Sequence, residues 1–138
     1  MVVNLTFIDD ARERNMLSGV IIIDLIAFIS YIIFPAGLIY FGDIQMIIGC
    51  IIGTHFAIKN IKPNQNILSL GVLVGLSGCV LTGISYSLFD WVVYSSSLLL
   101  NLIIFELYLV EAIIIALVFG GLISGYYFYI KKKIGKNM

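Results

Sequence analysis

The basic residues of this chain fall into three clusters, Arg12 with Arg14, Lys59 with Lys62, and Lys131, Lys132, Lys133 and Lys136, and the long stretches between the clusters are almost wholly apolar. A water-soluble fold needs charge spread over its whole surface. Charge withheld from stretches this long points to helices that cross a bilayer, because lipid offers the backbone no hydrogen-bond partner and a helix satisfies its own. Composition agrees: 61% of residues are hydrophobic and 12% charged, with a mean hydropathy of +1.09. The formal net charge is zero, and cations parked at the ends of apolar runs make no basic groove for nucleic acid. The solvent this sequence expects is the lipid bilayer.

The expected architecture is an all-α integral membrane protein, a compact four-helix transmembrane bundle with small-residue packing faces. Four spans are expected, at about 17–41, 44–58, 67–88 and 110–130. The first gives about 36 Å of helix and carries one formal charge, Asp24. Pro35 lacks an N–H, so this helix should kink or end there. The second span, at about 22 Å, is short for a hydrocarbon core of about 30 Å, unless it begins earlier, near Leu38. A tight hairpin around Gly42 and Asp43 would join these two spans. Residues 59–66 read as a polar turn containing Pro63, and Phe89 to Tyr94 read as an interfacial belt with Trp91 at headgroup level. Residues 96–130 would make about 52 Å as one helix, too long for a simple crossing. They are therefore divided into an outer interfacial segment, 96–109, and a span, 110–130, that ends in Tyr126, Tyr127 and Tyr129.

This arrangement gives a cytoplasmic N-terminal segment, 1–16, one transmembrane domain, 17–130, and a basic cytoplasmic tail, 131–138. Four crossings place every Lys and Arg on one side, as the positive-inside rule requires. Both termini are then cytoplasmic, the plasma membrane of a prokaryote is the expected location, and Asp43 and Asp90 fall in the outer connections. A cleaved signal peptide is not expected, because Asp9, Asp10 and Glu13 stand beside the arginines and no Ala-x-Ala site ends the first apolar run.

Lipid tails are as apolar as leucine, so spans associate through close backbone approach at small residues and through polar contacts. The second span has Gly49, Gly53 and Ala57; the third has Gly71, Gly75, Cys79 and Gly83; the fourth has Ala112, Ala116, Gly120 and Ser124, with Gly121 and Gly125 on the next ridge. These four-residue spacings keep small side chains near one helix face. They suit packing within the bundle, and also a homodimer or another membrane-protein partner through Gly49, Gly53, Gly71, Gly75, Gly121 and Gly125. The first span, with few small residues, is expected either at the periphery or facing a partner through Ala27 and Ser30. Cys50 and Cys79 sit inside apolar runs and read as small buried hydrophobes.

Three polar residues form a candidate intramembrane or transport site: Asp24, His55 and Glu111. Asp24 lies about 10 Å inside the first span, where an ionised carboxylate is costly without a partner. His55 precedes Lys59 by one helical turn and is expected within reach of Asp24 if the first two spans are antiparallel neighbours. Glu111 borders the Ala112 stripe near the outer boundary. Glu106 stands about 140° away around the helix and does not pair with it. Gln45 and Asn101 are expected at the outer interface.

No metal pair, nucleophile elbow, phosphate loop or Cys-x-x-Cys is present, so neither an enzyme nor a bound cofactor is expected. The leading expectation is a structural, accessory or assembly role in the membrane. The alternative is a subunit of a small oligomeric proton-coupled transporter or channel that uses Asp24. In length and in its four-span plan, with a carboxylate in the first span, the chain is similar to the small multidrug-resistance transporters. That resemblance implies a coupling role for Asp24, which stands where the family carries glutamate.

Overall fold

A computed structural model describes residues 3–34, 41–59, 61, 66–94 and 97–136. Helix α1 spans Val3–Ile33, α2 Phe41–Ile58, α3 Ile67–Tyr94 and α4 Leu98–Ile115; a π-helical turn, Ala116–Gly120, then leads directly into α5, Gly121–Lys136. The last three run as one rod, so the fold is a bundle of four helical rods, with no strand among the described residues. Glu13–Ile33, Ile67–Val93 and Leu98–Lys133 are each long and apolar enough to cross a membrane, whereas the apolar part of α2, Ile44–Ile58, is shorter. The protein is an all-α, multi-pass membrane protein, as the charge pattern predicts.

The helices run past the expected span ends. Once nucleated, a helix gains a backbone hydrogen bond with each added residue, and no proline interrupts these segments. Helix α1 already begins at Val3, α3 continues through Phe89 to Tyr94, and residues 98–109 are helical and continuous with those that follow. Ser97 starts that rod, its hydroxyl accepting the Leu100 N–H at 3.4 Å. Gly42 and Asp43 belong to the first turn of α2 rather than to a hairpin. The expected break at Pro35 and the turn residues Lys62 and Pro63 lie outside the described residues.

Helix α3 is the centre of the bundle and packs on every other helix; α2 also touches both its neighbours, and α1 packs most extensively on α2. Missing side chains explain the close approach. A Cβ on Gly49 would stand 2.7 Å from the Ile23 carbonyl oxygen, and one on Gly53 would meet Gly19 and Ile23 of α1. On α3, a Cβ on Gly78 would strike Ile23, and one on Gly71 would strike Ser124 and Ile58. Gly75 faces Cys50, the Ala116 carbonyl and Gly120. The expectation that Gly49, Gly53, Gly71 and Gly75 receive a partner protein is therefore corrected, because helices of the same chain already fill those faces. Ala27 is likewise buried inside the bundle rather than offered outward. Gly121 and Gly125 have open space beside them.

The π turn accounts for a feature of the small-residue stripe on the fourth rod. A strict four-residue repeat drifts by about 40° per step on an α-helix, hence about 120° from Ala112 to Ser124. A π turn is wider and takes up part of this drift. Ala112, Ala116, Gly120 and Ser124 all remain buried.

The rods alternate in direction. Gly19 of α1 lies against Gly53 and Ala57 of α2, and Gly71 of α3 against Ser124 of α5. The Lys131 ammonium donates to the Ile58 carbonyl at 3.3 Å and to the Ile61 carbonyl. Lys59 lies 4.1 Å from the centroid of the Phe56 ring. The start of α1, the end of α2 and the C-terminal lysines thus share one end of the bundle. A cation beside the last carbonyls of a helix stabilises its negative end by about 0.3–1 kcal/mol. Lys131→Met is expected to lower stability by that amount in detergent-based unfolding, while Lys133→Met leaves it unchanged. Equal stability of both variants with the parent would refute the cap.

Candidate intramembrane polar site

The most extensive buried polar cluster among the described residues joins α1, α3 and α4 at the end of the bundle opposite the lysines. Tyr31 continues the inward stripe of α1 formed by Gly19, Ile23 and Ala27, and Tyr86 and Asp90 stand one turn apart on α3. Gly83, without a side chain, lets α4 approach so closely that a Cβ there would sit 3.4 Å from the Tyr108 Cβ. The Tyr31 hydroxyl donates to Asp90 Oδ1 at 2.7 Å, and the Tyr108 hydroxyl donates to Asp90 Oδ2 at 3.1 Å. The two hydroxyl oxygens are 3.3 Å apart. Tyr31 stacks on Tyr86 with centroids 4.2 Å apart, and the Tyr86 hydroxyl donates to the Ala27 carbonyl at 3.1 Å. Phe89 closes the cluster with edge contacts to Phe28 and Tyr31.

Asp90 is only 7% exposed, which corrects its expected place in a wet outer connection. The helix explains the difference: α3 runs through the Phe89–Tyr94 belt instead of ending before it, so Asp90 stays on the inward face one turn beyond Tyr86. Chemically, an ionised carboxylate only accepts, and two phenols give it one hydrogen each. Those two hydrogens serve its two oxygens, so the hydroxyl–hydroxyl approach is bridged only if the carboxyl itself brings a third proton. The arrangement can therefore pin three helices together.

The residues expected to form the site are placed apart. The His55 ring is exposed and its Nδ1 lies 2.7 Å from the Tyr127 hydroxyl, tying α2 to α5 near the lysine end. Asp24 is partly buried on the flank of α1, and its Oδ1 is enclosed without a hydrogen-bond partner. It follows Ile23, which packs on Gly49, Gly53 and Gly78, whereas His55 lies beyond Gly53 toward the lysines and turns to α5. The Asp24–His55 pair is not formed. Glu111 is partly buried one turn beyond Tyr108. Gln45 is buried within the bundle and donates to the Ser30 carbonyl at 3.1 Å. Asn101 does meet a partner across the helices, accepting from the Ser87 hydroxyl at 3.3 Å.

The tyrosine–aspartate cluster escapes a reading of the sequence because Tyr31, Asp90 and Tyr108 come from three separate apolar stretches. The available signal was three tyrosines set within long apolar runs rather than at their ends, since a buried hydroxyl requires a partner. Fold and site together define a small multi-spanning helical membrane protein. Comparison with protein families, curated proteins and solved structures gives no match to this chain.

Proposed function

We propose that this protein is a non-enzymatic structural, accessory or assembly component of a prokaryotic plasma membrane, with both termini in the cytoplasm. The observation that carries this reading is that polar groups within the spans are largely spent on one another. Asp90 is held by Tyr31 and Tyr108, Thr82 by the Gly78 backbone and Ser87 by Asn101, while Gln45 donates to the Ser30 carbonyl and leaves its Oε1 without a partner. Polar residues that line a permeation path face water or substrate instead. The close glycine contacts between α1, α2 and α3 also suit a stable scaffold better than a moving one.

A second reading, a proton-coupled transporter subunit, draws on one specific observation, the enclosed and unpaired oxygen of Asp24. Reconstitution separates the two. Vesicles containing the purified chain and an internal pH dye are expected to hold an imposed proton gradient as long as protein-free vesicles do. Gradient collapse that Asp24→Asn prevents would replace the accessory reading with the transporter.

A further inference from the structure

We propose that Asp24 is a docking point for a transmembrane helix of another protein that carries one lysine or arginine at matching depth. This inference rests on the accessory reading and names the chemistry of the partner. The two membrane-embedded aspartates α1 and α3 contribute are treated differently. Asp90 receives a hydrogen from each of two tyrosines, whereas Asp24 Oδ1 is enclosed with no donor. A carboxylate at such depth is costly until a proton or an opposite charge meets it.

The described cations do not fill that role. Lys131 is committed to the Ile58 and Ile61 carbonyls, Lys59 lies over Phe56 and Lys132 over Phe128. Arg14 lies on the same helix, about 15 Å nearer the basic end. Asp24 is nevertheless open to a partner. One turn beyond it Phe28 packs on Phe89, which places Asp24 along the seam between α1 and α3, and it remains partly exposed there. The adjoining outward stripe, Leu17, Ile21 and Leu25, is apolar and exposed. A helix lying along that stripe would meet an aliphatic surface with a single negative charge in it. Charge complementarity then selects a single positive charge, and pairing relieves the cost of burying both.

The test uses the full chain in phosphatidylcholine vesicles, with a labelled leucine-rich span that bears one lysine at the depth of Asp24, or leucine at the same place. Energy transfer is expected to report association about tenfold stronger for the lysine span. Asp24→Asn should reduce it to the level of the leucine span, while the reactivity of Cys50 and Cys79 stays as low as in the parent. Equal association of both spans, or a lysine preference that survives Asp24→Asn, would overturn the proposal. So would self-association of the chain that depends on Asp24 without any lysine preference, which would assign the site to a second copy. A proton flux in the vesicle assay bears on the accessory reading alone, and loss of the lysine preference in proton-tight vesicles bears on this inference alone.

Discussion

Alanine at Gly53 is expected to separate α1 from α2. A Cβ there would stand 2.5 Å from the Gly19 carbonyl oxygen and against the Ile23 side chain. The side chain can rotate, but the carbonyl belongs to a helix backbone and moves only if the whole helix moves. Overpacking of this kind costs about 1–3 kcal/mol, and a fixed backbone atom places Gly53→Ala toward the upper end. Gly53→Leu should prevent the two helices from closing at all. Gly125→Ala, with nothing within 4 Å of the new carbon, is the matched control and should not destabilise, since alanine favours a helix over glycine by up to about 1 kcal/mol. The protein supplies its own reporters, because Cys50 and Cys79 are free thiols with no exposed surface. A thiol-reactive dye will therefore label them at a lower temperature in Gly53→Ala than in the parent or in Gly125→Ala. The reverse order of the two variants would show that the packing described for α1 and α2 is wrong.

Removing both phenolic hydroxyls around Asp90 should have an effect of similar size. Hydrogen bonds to a charged group contribute about 1.5–3 kcal/mol each. Tyr31→Phe and Tyr108→Phe should each lower stability within that range, Tyr31→Phe more, since its bond to the carboxylate is shorter, 2.7 Å against 3.1 Å. The double variant strands a buried carboxylate and should lose about 3–5 kcal/mol. Adding Asp90→Leu to the double variant should recover most of the loss, because apolar groups replacing both sides of a polar contact leave nothing unsatisfied. The measurement is the same dye-labelling transition across the four variants. A triple variant as unstable as the double would mean that the tyrosines act through shape rather than through their hydroxyls.

Lipid made the architecture readable from the chain. A span must be long, apolar and helical, so its composition is legible residue by residue, and the grouping of Lys59 and Lys131 at one end follows from where cations are tolerated. The four-residue spacing of Gly49 and Gly53, and of Gly71 and Gly75, correctly marked the tight faces. It did not say whose helix fills them, because a glycine face is equally suited to a neighbour in the same chain and to a partner. Asp90 was misplaced for a different reason: Phe89 and Trp91 beside it have the composition of a membrane interface, and only the approach of Tyr31 and Tyr108 from other helices shows that it faces inward. The expected Asp24–His55 contact relied on depth alone, and depth does not fix the direction of a side chain around its helix. The π turn at Ala116–Gly120 left no mark in the apolar pattern, since the residues on both sides of it are equally hydrophobic.

The unequal lengths of the rods reach beyond the protein itself. Ile67–Val93 and Leu98–Lys133 are 27 and 36 residues of apolar helix. At about 1.5 Å per residue the longest of these exceeds an average hydrocarbon core of about 30 Å by a wide margin. Acyl chains beside that rod must stretch, or the rod must lean. Membrane thickness, set by chain length and saturation, is thus a variable that the lean of this rod should follow.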